Sequence, residues 1–370
     1  MTSKYDVAII GAGIVGAACA REAVRAKLKT AIIEAKIIGG GATAAGMGHL
    51  VVMDDSEAQF ALTRFSCKLW RELKEELPGT VEYDACGTIW IATDDEEMAE
   101  VHRKENYYRG RGVAVEVLDA KSLGDAEPNL RPGLLGGLRV PNDSVIYPPC
   151  AAKFFVDLAV AAGAEMFLGK QVASIDDDKV HLDDGSSISA GVVVNAAGSW
   201  SPSLTKGIDV KKRKGHLLIT DRYPKFLKHQ LVELGYLKSA HSVTSDSVAF
   251  NIQPRKTGQM LIGSSRQYGV ESSEIDQGIM RRMLARALEY MPGLGQLSSI
   301  RSWTGFRAAT PDKLPLIGPD VRQKRLYLAT GHEGLGITTS VGTARLLFDQ
   351  ILSHRSEIPF EAYLPQRYST

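Results

Sequence analysis

The chain begins with a short apolar run, Tyr5 to Ile10 (YDVAII), in which Val and Ile are scarcely interrupted by polar residues. That pattern predicts a buried strand. A glycine turn follows, and the small residues after it predict a helix over about Ile14 to Arg25. A second apolar strand, Lys29 to Ile33, ends at Glu34. Alternation from Val81 to Thr93 predicts strand, and the charged stretch Asp95 to Arg111 predicts helix. Tyr147 and two prolines precede an amphipathic helix, Ala151 to Ala162. The segment QVASIDDDKVHLDDGSSI reads as a pair of short strands turning at Asp184-Gly185. Val192 to Val194 is a further strand. Later, KGHLLIT, SVAFNIQPR and QMLIGSS read as strands of a second sheet. A helix from Asp276 to Tyr290 carries Met280, Leu284 and Leu288 on one face, with Arg281, Arg282 and Arg286 elsewhere. The chain closes on a strand, a glycine turn and a helix, RLYLATGHEGLGITTSVGTARLLFDQIL.

The first turn has a specific chemistry. Gly11, Gly13 and Gly16 form G-x-G-x-x-G between a strand and a helix. The first glycine permits the tight turn, the second lets backbone approach a pyrophosphate, and the third lets helix pack on strand. Ile14 and Val15 open a helix whose N-terminal N–H groups point at phosphate. Glu34, 18 residues after Gly16, stands where a ribose hydroxyl is accepted, and its charge would repel a 2′-phosphate. Which dinucleotide binds is decided downstream. Glycines at 39, 40, 41, 46 and 48 alternate with small residues, so backbone can lie against a flat ligand. Thr43 can start a helix facing phosphate, and Gly46, Met47 and Gly48 can run along an isoalloxazine edge. Ala196, Ala197 and Gly198 make a close-approach turn. Gly331, Gly334 and Gly336 can bring N–H groups and a helix N-terminus to the flavin's electron-poor edge, where the dipole favours negative charge. The reading is therefore flavin rather than nicotinamide.

Size and charge exclude other classes. With 370 residues and 44% hydrophobic content, more than one domain is expected. Lys and Arg number 44 against 43 acids, a net charge of +1, which gives no field for nucleic acid or a membrane surface. The one tight basic run, Lys211, Lys212, Arg213 and Lys214, reads as a solvated turn, with an anion or partner site as the lesser alternative. Cys19, Cys67, Cys86 and Cys150 include no C-x-x-C pair, so no metal site is expected and a reducing compartment is. Cys19 reads as a small core residue of the first helix. Neither a cleavable signal nor a membrane-spanning segment is expected, which suggests a cytoplasmic protein, or one peripheral to the inner membrane if a quinone is the acceptor.

In order and over essentially the whole chain, AIIGAGIVGAACA, Glu34, GATAAGMGHL, VVVNAAGSWSP, TGFRAATPDKLPLIGP and ATGHEGLGITTSVGTA resemble the D-amino-acid-oxidase-like superfamily of FAD oxidoreductases, the group of glycine and sarcosine oxidases. Within it, TAAGMGHLVVMDD with GHEGLGITTS looks most like bacterial D-hydroxyproline dehydrogenases. The resemblance implies an α/β fold, with a discontinuous Rossmann-like FAD domain (1–80, 145–214, 300–370). It also implies an α+β substrate domain with a mostly antiparallel sheet (81–144, 215–299). It gives the cofactor Gly11, Gly13, Ile14, Val15, Gly16, Glu34, Ala35, Ala42, Thr43, Gly46, Met47, Gly48, Val172, Ala196, Ala197, Gly198, Trp200, Arg307, Gly331, His332, Gly334, Leu335, Gly336 and Ile337. No cysteine precedes the terminal glycine turn where covalent members attach flavin, so noncovalent FAD is implied.

The reaction implied is oxidation of an amino acid or secondary amine to the imine by hydride transfer to flavin, with D-hydroxyproline or D-proline as the expected substrate; the alternatives are a glycine- or sarcosine-type amine oxidase and an electron-passing flavoprotein subunit of a heteromeric dehydrogenase. Arg307 is the candidate anchor for a substrate carboxylate, since a guanidinium meets it bidentately. The competing reading pairs Arg307 with Asp312. His49 and His332 lie in the two flavin-facing turns and are read either as flavin or substrate contacts or as structural donors. Glycine oxidases carry HFRNG where this chain has HEGLG, so Gly334 replaces an arginine and Glu333 is new. Glu333 either faces the substrate amine or is a solvated loop acid. Tyr236 and His241 are read as lid residues, and Trp200 and Trp303 as core aromatics. A small amino acid is the expected substrate. The electron acceptor stays open among oxygen, a quinone and a partner subunit.

Overall fold

The computed structural model describes residues 5–176, 179–235 and 246–368. Tyr236 and His241 lie outside them. The chain divides into two compact units, 1–81 with 147–212 and 306–370, and 82–146 with 213–305.

The first unit is built on a mixed sheet in the order Leu316–Pro319, Leu326–Thr330, Ser187–Asn195, Tyr5–Ile10, Thr30–Glu34, Glu165–Leu168. The first strand pairs in parallel on both sides, Val7 with Val192 and with Thr30. It is central and covered on both faces, which is why it reads as an apolar run rather than an alternation. Leu316–Pro319 closes one edge antiparallel, Leu316 opposite Thr330. Lys179–Leu182 and Val172–Ile175 extend the hydrogen bonding off Ser187–Asn195, with the expected turn at Gly185 in left-handed backbone. The helices Pro148–Ala161 and Gly336–Ile351 both pack against Ile14–Arg25. This central helix is mostly Ala and Gly on its buried side, which lets its neighbours come close. Cys19 is buried there, and burial pushes its thiol far up.

The second unit holds another eight-stranded sheet, mostly antiparallel, ordered Ser299–Ala309, Lys211–Thr220, Met260–Arg266, Ser247–Pro254, Gln230–Glu233, Thr88–Ala92, Gly136–Val140, Glu116–Asp119. One face carries Ile89, Ile91, Leu231, Phe250, Ile252 and Ile262 against Met280, Met283, Ala287 and Tyr290 of the helix Gln277–Tyr290. Asp276 caps that helix through Gly278 and Ile279.

Three expectations need correction. The basic run is no turn: it opens the strand Lys211–Thr220, and Arg213 and Lys214 are buried. The Arg213 guanidinium lies 4.6 Å from the Tyr268 ring centroid, and the Lys214 ammonium donates to the Glu274 carbonyl. Partners so distant in sequence are invisible to a charge count. The helix Gln277–Tyr290 buries Ile279, Met280, Met283, Ala287 and Tyr290, while Leu288 is 39% exposed. Stacking of Tyr290 on Phe250, with centroids 4.5 Å apart, sets that rotation. Neither tryptophan is core: Trp200 is 51% exposed and Trp303 is half-buried under Arg301.

Candidate functional site

The glycine turn between the first strand and first helix is fixed by hydrogen bonds from three segments. Gly11 donates to the Ile33 carbonyl at 2.8 Å and Ala196 donates to Ile10 at 2.9 Å. Ala12 donates to Glu34 Oε2 at 2.8 Å, and Gly39 donates back to the Ala12 carbonyl. Glu34 Oε1 accepts the Lys36 N–H at 2.9 Å. Lys170 donates to the Glu34 carbonyl, which sets the stretch leading to the buried Val172 beside that acid. Ala35 is exposed next to Glu34.

The glycines of this turn are sterically required. Gly11 has φ +98°, and a Cβ there would lie 2.7 Å from the Ala196 carbonyl oxygen. A Cβ on Gly16 would lie 1.9 Å from Gly11 O, and one on Gly13 would press on Thr43 Oγ1 at 3.2 Å. Thr43 does not start its helix, which runs Gly41–Ala45 behind a Gly40 cap. Its buried hydroxyl instead accepts the Ile14 N–H at 3.0 Å, tying the glycine-rich loop to the first helix. Ala42 is exposed on this short helix, and Met47 and Gly48 are buried just beyond it. A Cβ on Gly46 would strike Ile337 Cδ1 at 2.7 Å, and one on Gly336 would meet His332 and Val15. Gly46, Val15, Gly336 and Ile337 therefore converge from three distant segments, and each is half-buried.

After Ser187–Asn195, the turn Ala196, Ala197, Gly198 is held from behind. Buried Asn195 Oδ1 accepts the Ala197 N–H at 3.1 Å, while its Nδ2 donates to Thr205 Oγ1 and Ser201 O. Thr330 Oγ1 donates to the Gly198 carbonyl at 2.9 Å, and Gly198 sits at φ +56°. Exposed Trp200 flanks Gly41, whose Cβ would lie 3.4 Å from its ring. Asn195 and Thr330 are supporting residues that motif reading missed. Asn195 was legible as a polar residue closing an apolar strand, whereas the role of Thr330 exists only in space.

The terminal turn joins the strand Ser299–Ala309. Glu333 donates its N–H to the Ala308 carbonyl at 2.8 Å and has φ +52°, while Gly331 has φ +78°. This bridge places Gly334 beside Arg307: a Cβ there would lie 3.8 Å from Arg307 Nε. Arg307 is half-buried. Asp312, its suggested structural partner, is bonded at both carboxylate oxygens by Arg367, at 2.7 and 3.1 Å. His332 is buried, with Nε2 2.9 Å from Thr343 Oγ1. Burial pushes its pKa down to about 3, so the imidazole is neutral at pH 7. The His49 carbonyl accepts from Thr338 Oγ1 at 2.8 Å, and the Trp70 indole N–H donates to the Thr338 carbonyl. Leu335 caps the helix Gly336–Ile351 without a side-chain hydrogen bond, as Gly13 does for Ile14–Arg25.

These features fit a bound dinucleotide. Two helix N-termini whose own capping residues, Gly13 and Leu335, offer no side-chain bond, glycines at 11 and 16 with no room for a Cβ, and an acid anchored beside the first turn fit such a ligand. Among the described residues no group of three or more metal-ligating side chains occurs, and no helix is long and apolar enough to cross a membrane.

Comparison with known proteins agrees with this geometry. The DAO family, described as FAD dependent oxidoreductase, matches residues 6–350. A glycine oxidase of Geobacillus kaustophilus is 28% identical over 372 residues, covering 98% of this chain and 96% of that protein. A D-amino acid dehydrogenase of Methylobacterium nodulans is 28% identical over 324 residues, covering 83% of this chain and 73% of that protein. The crystal structure of glycine oxidase from Geobacillus kaustophilus superposes with a TM-score of 0.90 at 26% identity, covering 99% and 100% of the two chains.

Proposed function

The chain belongs to the DAO family of FAD-dependent oxidoreductases, and from that premise we propose that it oxidises a cyclic secondary amino acid, D-hydroxyproline or D-proline, to the cyclic imine. The class of reaction, oxidation of an amine or amino acid with FAD, follows from the family and its glycine oxidase relatives. The observation that carries the finer reading is the placement of Arg307: its Nε lies 3.8 Å from where a Cβ on Gly334 would stand, beside the terminal glycine turn, while Arg367 bonds both carboxylate oxygens of Asp312. A half-buried guanidinium at such a turn suits a substrate carboxylate, which it can grip at two oxygens and in one plane. Glycine at 334, in place of the arginine of the resembling glycine oxidases, leaves room for a ring. The likeness of TAAGMGHLVVMDD and GHEGLGITTS to hydroxyproline dehydrogenases supports the same choice.

In this reading the first unit is the FAD domain and the second the substrate domain. Gly11, Gly13, Gly16, Glu34, Thr43, Met47, Ala197, Gly198, Gly336 and Ile337 hold FAD without a covalent link. Bound FAD supplies a two-electron acceptor for the hydrogen and electron pair leaving the substrate carbon. Arg307 orients the substrate so that this carbon has one position. Neutral His332, engaged by Thr343, adds no second cation to the turn and serves as support. The helix Gly336–Ile351 presents its positive end to developing negative charge.

The test is anaerobic mixing of the FAD-loaded protein with D-proline, cis-4-hydroxy-D-proline, their L-epimers, glycine and sarcosine. Bleaching of the flavin absorbance is expected with the cyclic D-compounds. Arg307→Leu is expected to abolish bleaching while FAD stays bound. Bleaching by glycine or sarcosine alone would replace the substrate assigned here, and activity surviving in Arg307→Leu would sink the carboxylate model.

A further inference from the structure

Glu333 is an unusual residue for its place. Its backbone is left-handed at φ +52°, a conformation that costs a non-glycine residue on the order of 1 kcal/mol. Lys27, Lys225, Arg325 and Ser353 share that backbone at exposed positions, and Glu82 and Lys313 at half-buried ones. Glu333 instead lies in a turn where the chain has already placed glycine at 331, 334 and 336. It is half-buried, and its Oε2 is shielded from solvent. The N–H bond to Ala308 fixes its backbone to the strand residue that follows Arg307.

We propose that Glu333 makes this site selective for zwitterions: it sets the local charge so that a ligand with one carboxylate and a cationic nitrogen is preferred over a carboxylate alone. The inference rests on Arg307 as the carboxylate anchor and assigns the second half of the recognition. Arg307 and Glu333 together carry no net charge, so a zwitterion leaves the turn neutral while a simple anion leaves it negative. At half-buried positions the effective dielectric is below that of water, so a neighbouring charge acts more strongly than it would in solution. A ligand with two carboxylates is disfavoured for the same reason.

The test uses the FAD-loaded enzyme and two ligands that it cannot oxidise. α-Methyl-D-proline is a zwitterion with no hydrogen on the reacting carbon, and pyrrole-2-carboxylate is an anion with an uncharged ring nitrogen. Binding is read by calorimetry and by the shift of the flavin spectrum. In the unaltered protein the zwitterion binds tighter. Glu333→Gln, which keeps size and backbone preference, weakens α-methyl-D-proline about 10- to 100-fold, the range of a lost charge-assisted contact, and leaves pyrrole-2-carboxylate equal or tighter. Arg307→Leu weakens both. If Glu333→Gln shifts both ligands equally or neither, the inference is overturned while the anchor stands. If the unaltered protein prefers the anion, it is overturned as well. If Arg307→Leu changes neither ligand, or neither binds, the anchor fails and takes the inference with it.

Discussion

Substituting Gly16 by Ala adds a single methyl group at a point where the structure has no room for it. The new Cβ would lie 1.9 Å from Gly11 O, 3.0 Å from Gly11 C and 3.4 Å from Ala196 Cβ. A carbon and a carbonyl oxygen settle at about 3.3 Å, so the turn has to open by more than about 1 Å. It cannot open freely, because Gly11 is tied to Ile33 and Ala12 to Glu34. The expected cost is about 3 kcal/mol, the upper end of overpacking penalties, or ~4 °C in unfolding midpoint for a chain of this length. The shifted backbone also forms the cradle, so FAD should be lost with it. Gly124→Ala is the counterpart. Gly124 is exposed inside the helix Ala120–Ala126, and its Cβ would meet nothing within 4 Å. There the same methyl should stabilise by about 0.5–1 kcal/mol, by restricting the unfolded chain. The assay is the flavin-to-protein absorbance ratio after gel filtration, with thermal unfolding in the presence and absence of added FAD. A Gly16→Ala protein with full FAD and an unchanged midpoint would refute the steric argument.

Other outcomes follow from single contacts. Replacing Thr43 by Val removes the acceptor of the Ile14 N–H while keeping shape, and should cost about 1–2 kcal/mol in denaturant unfolding, with Thr43→Ser restoring most of it. His332 is neutral in the fold with a pKa near 3, whereas the unfolded chain binds a proton below about 6.5. The unfolded state therefore holds more protons in that window, and stability falls as pH drops from about 6.5 toward 3. Relative to His332→Gln, the unaltered protein should lose up to ~1.4 kcal/mol per pH unit between pH 6 and 4. Parallel stability curves for the two proteins would contradict the burial argument.

What the sequence determined by itself is whatever local chemistry dictates. The run YDVAII, the three glycines after it and Glu34 define the first strand, turn and acid, because a buried strand, a tight turn and a close helix approach each demand particular residues at fixed spacing. The two-sheet α/β architecture was legible for the same reason, since strand and helix patterns differ in period. Tertiary structure decided everything that depends on a partner far along the chain. Arg213 and Lys214 look like a solvated turn until Tyr268 and Glu274 are seen beside them. The tryptophan in GSWSP looks like core, yet Trp200 stands out beside Gly41 because glycine there leaves its ring uncovered. His332 could not be sorted between ligand contact and support until burial and Thr343 were in view. Arg307 and Glu333, 26 positions apart in the sequence, come near one turn only because one backbone bridge joins Ala308 to Glu333. No periodicity encodes that pairing, for it is a single bridge between residues far apart in the chain.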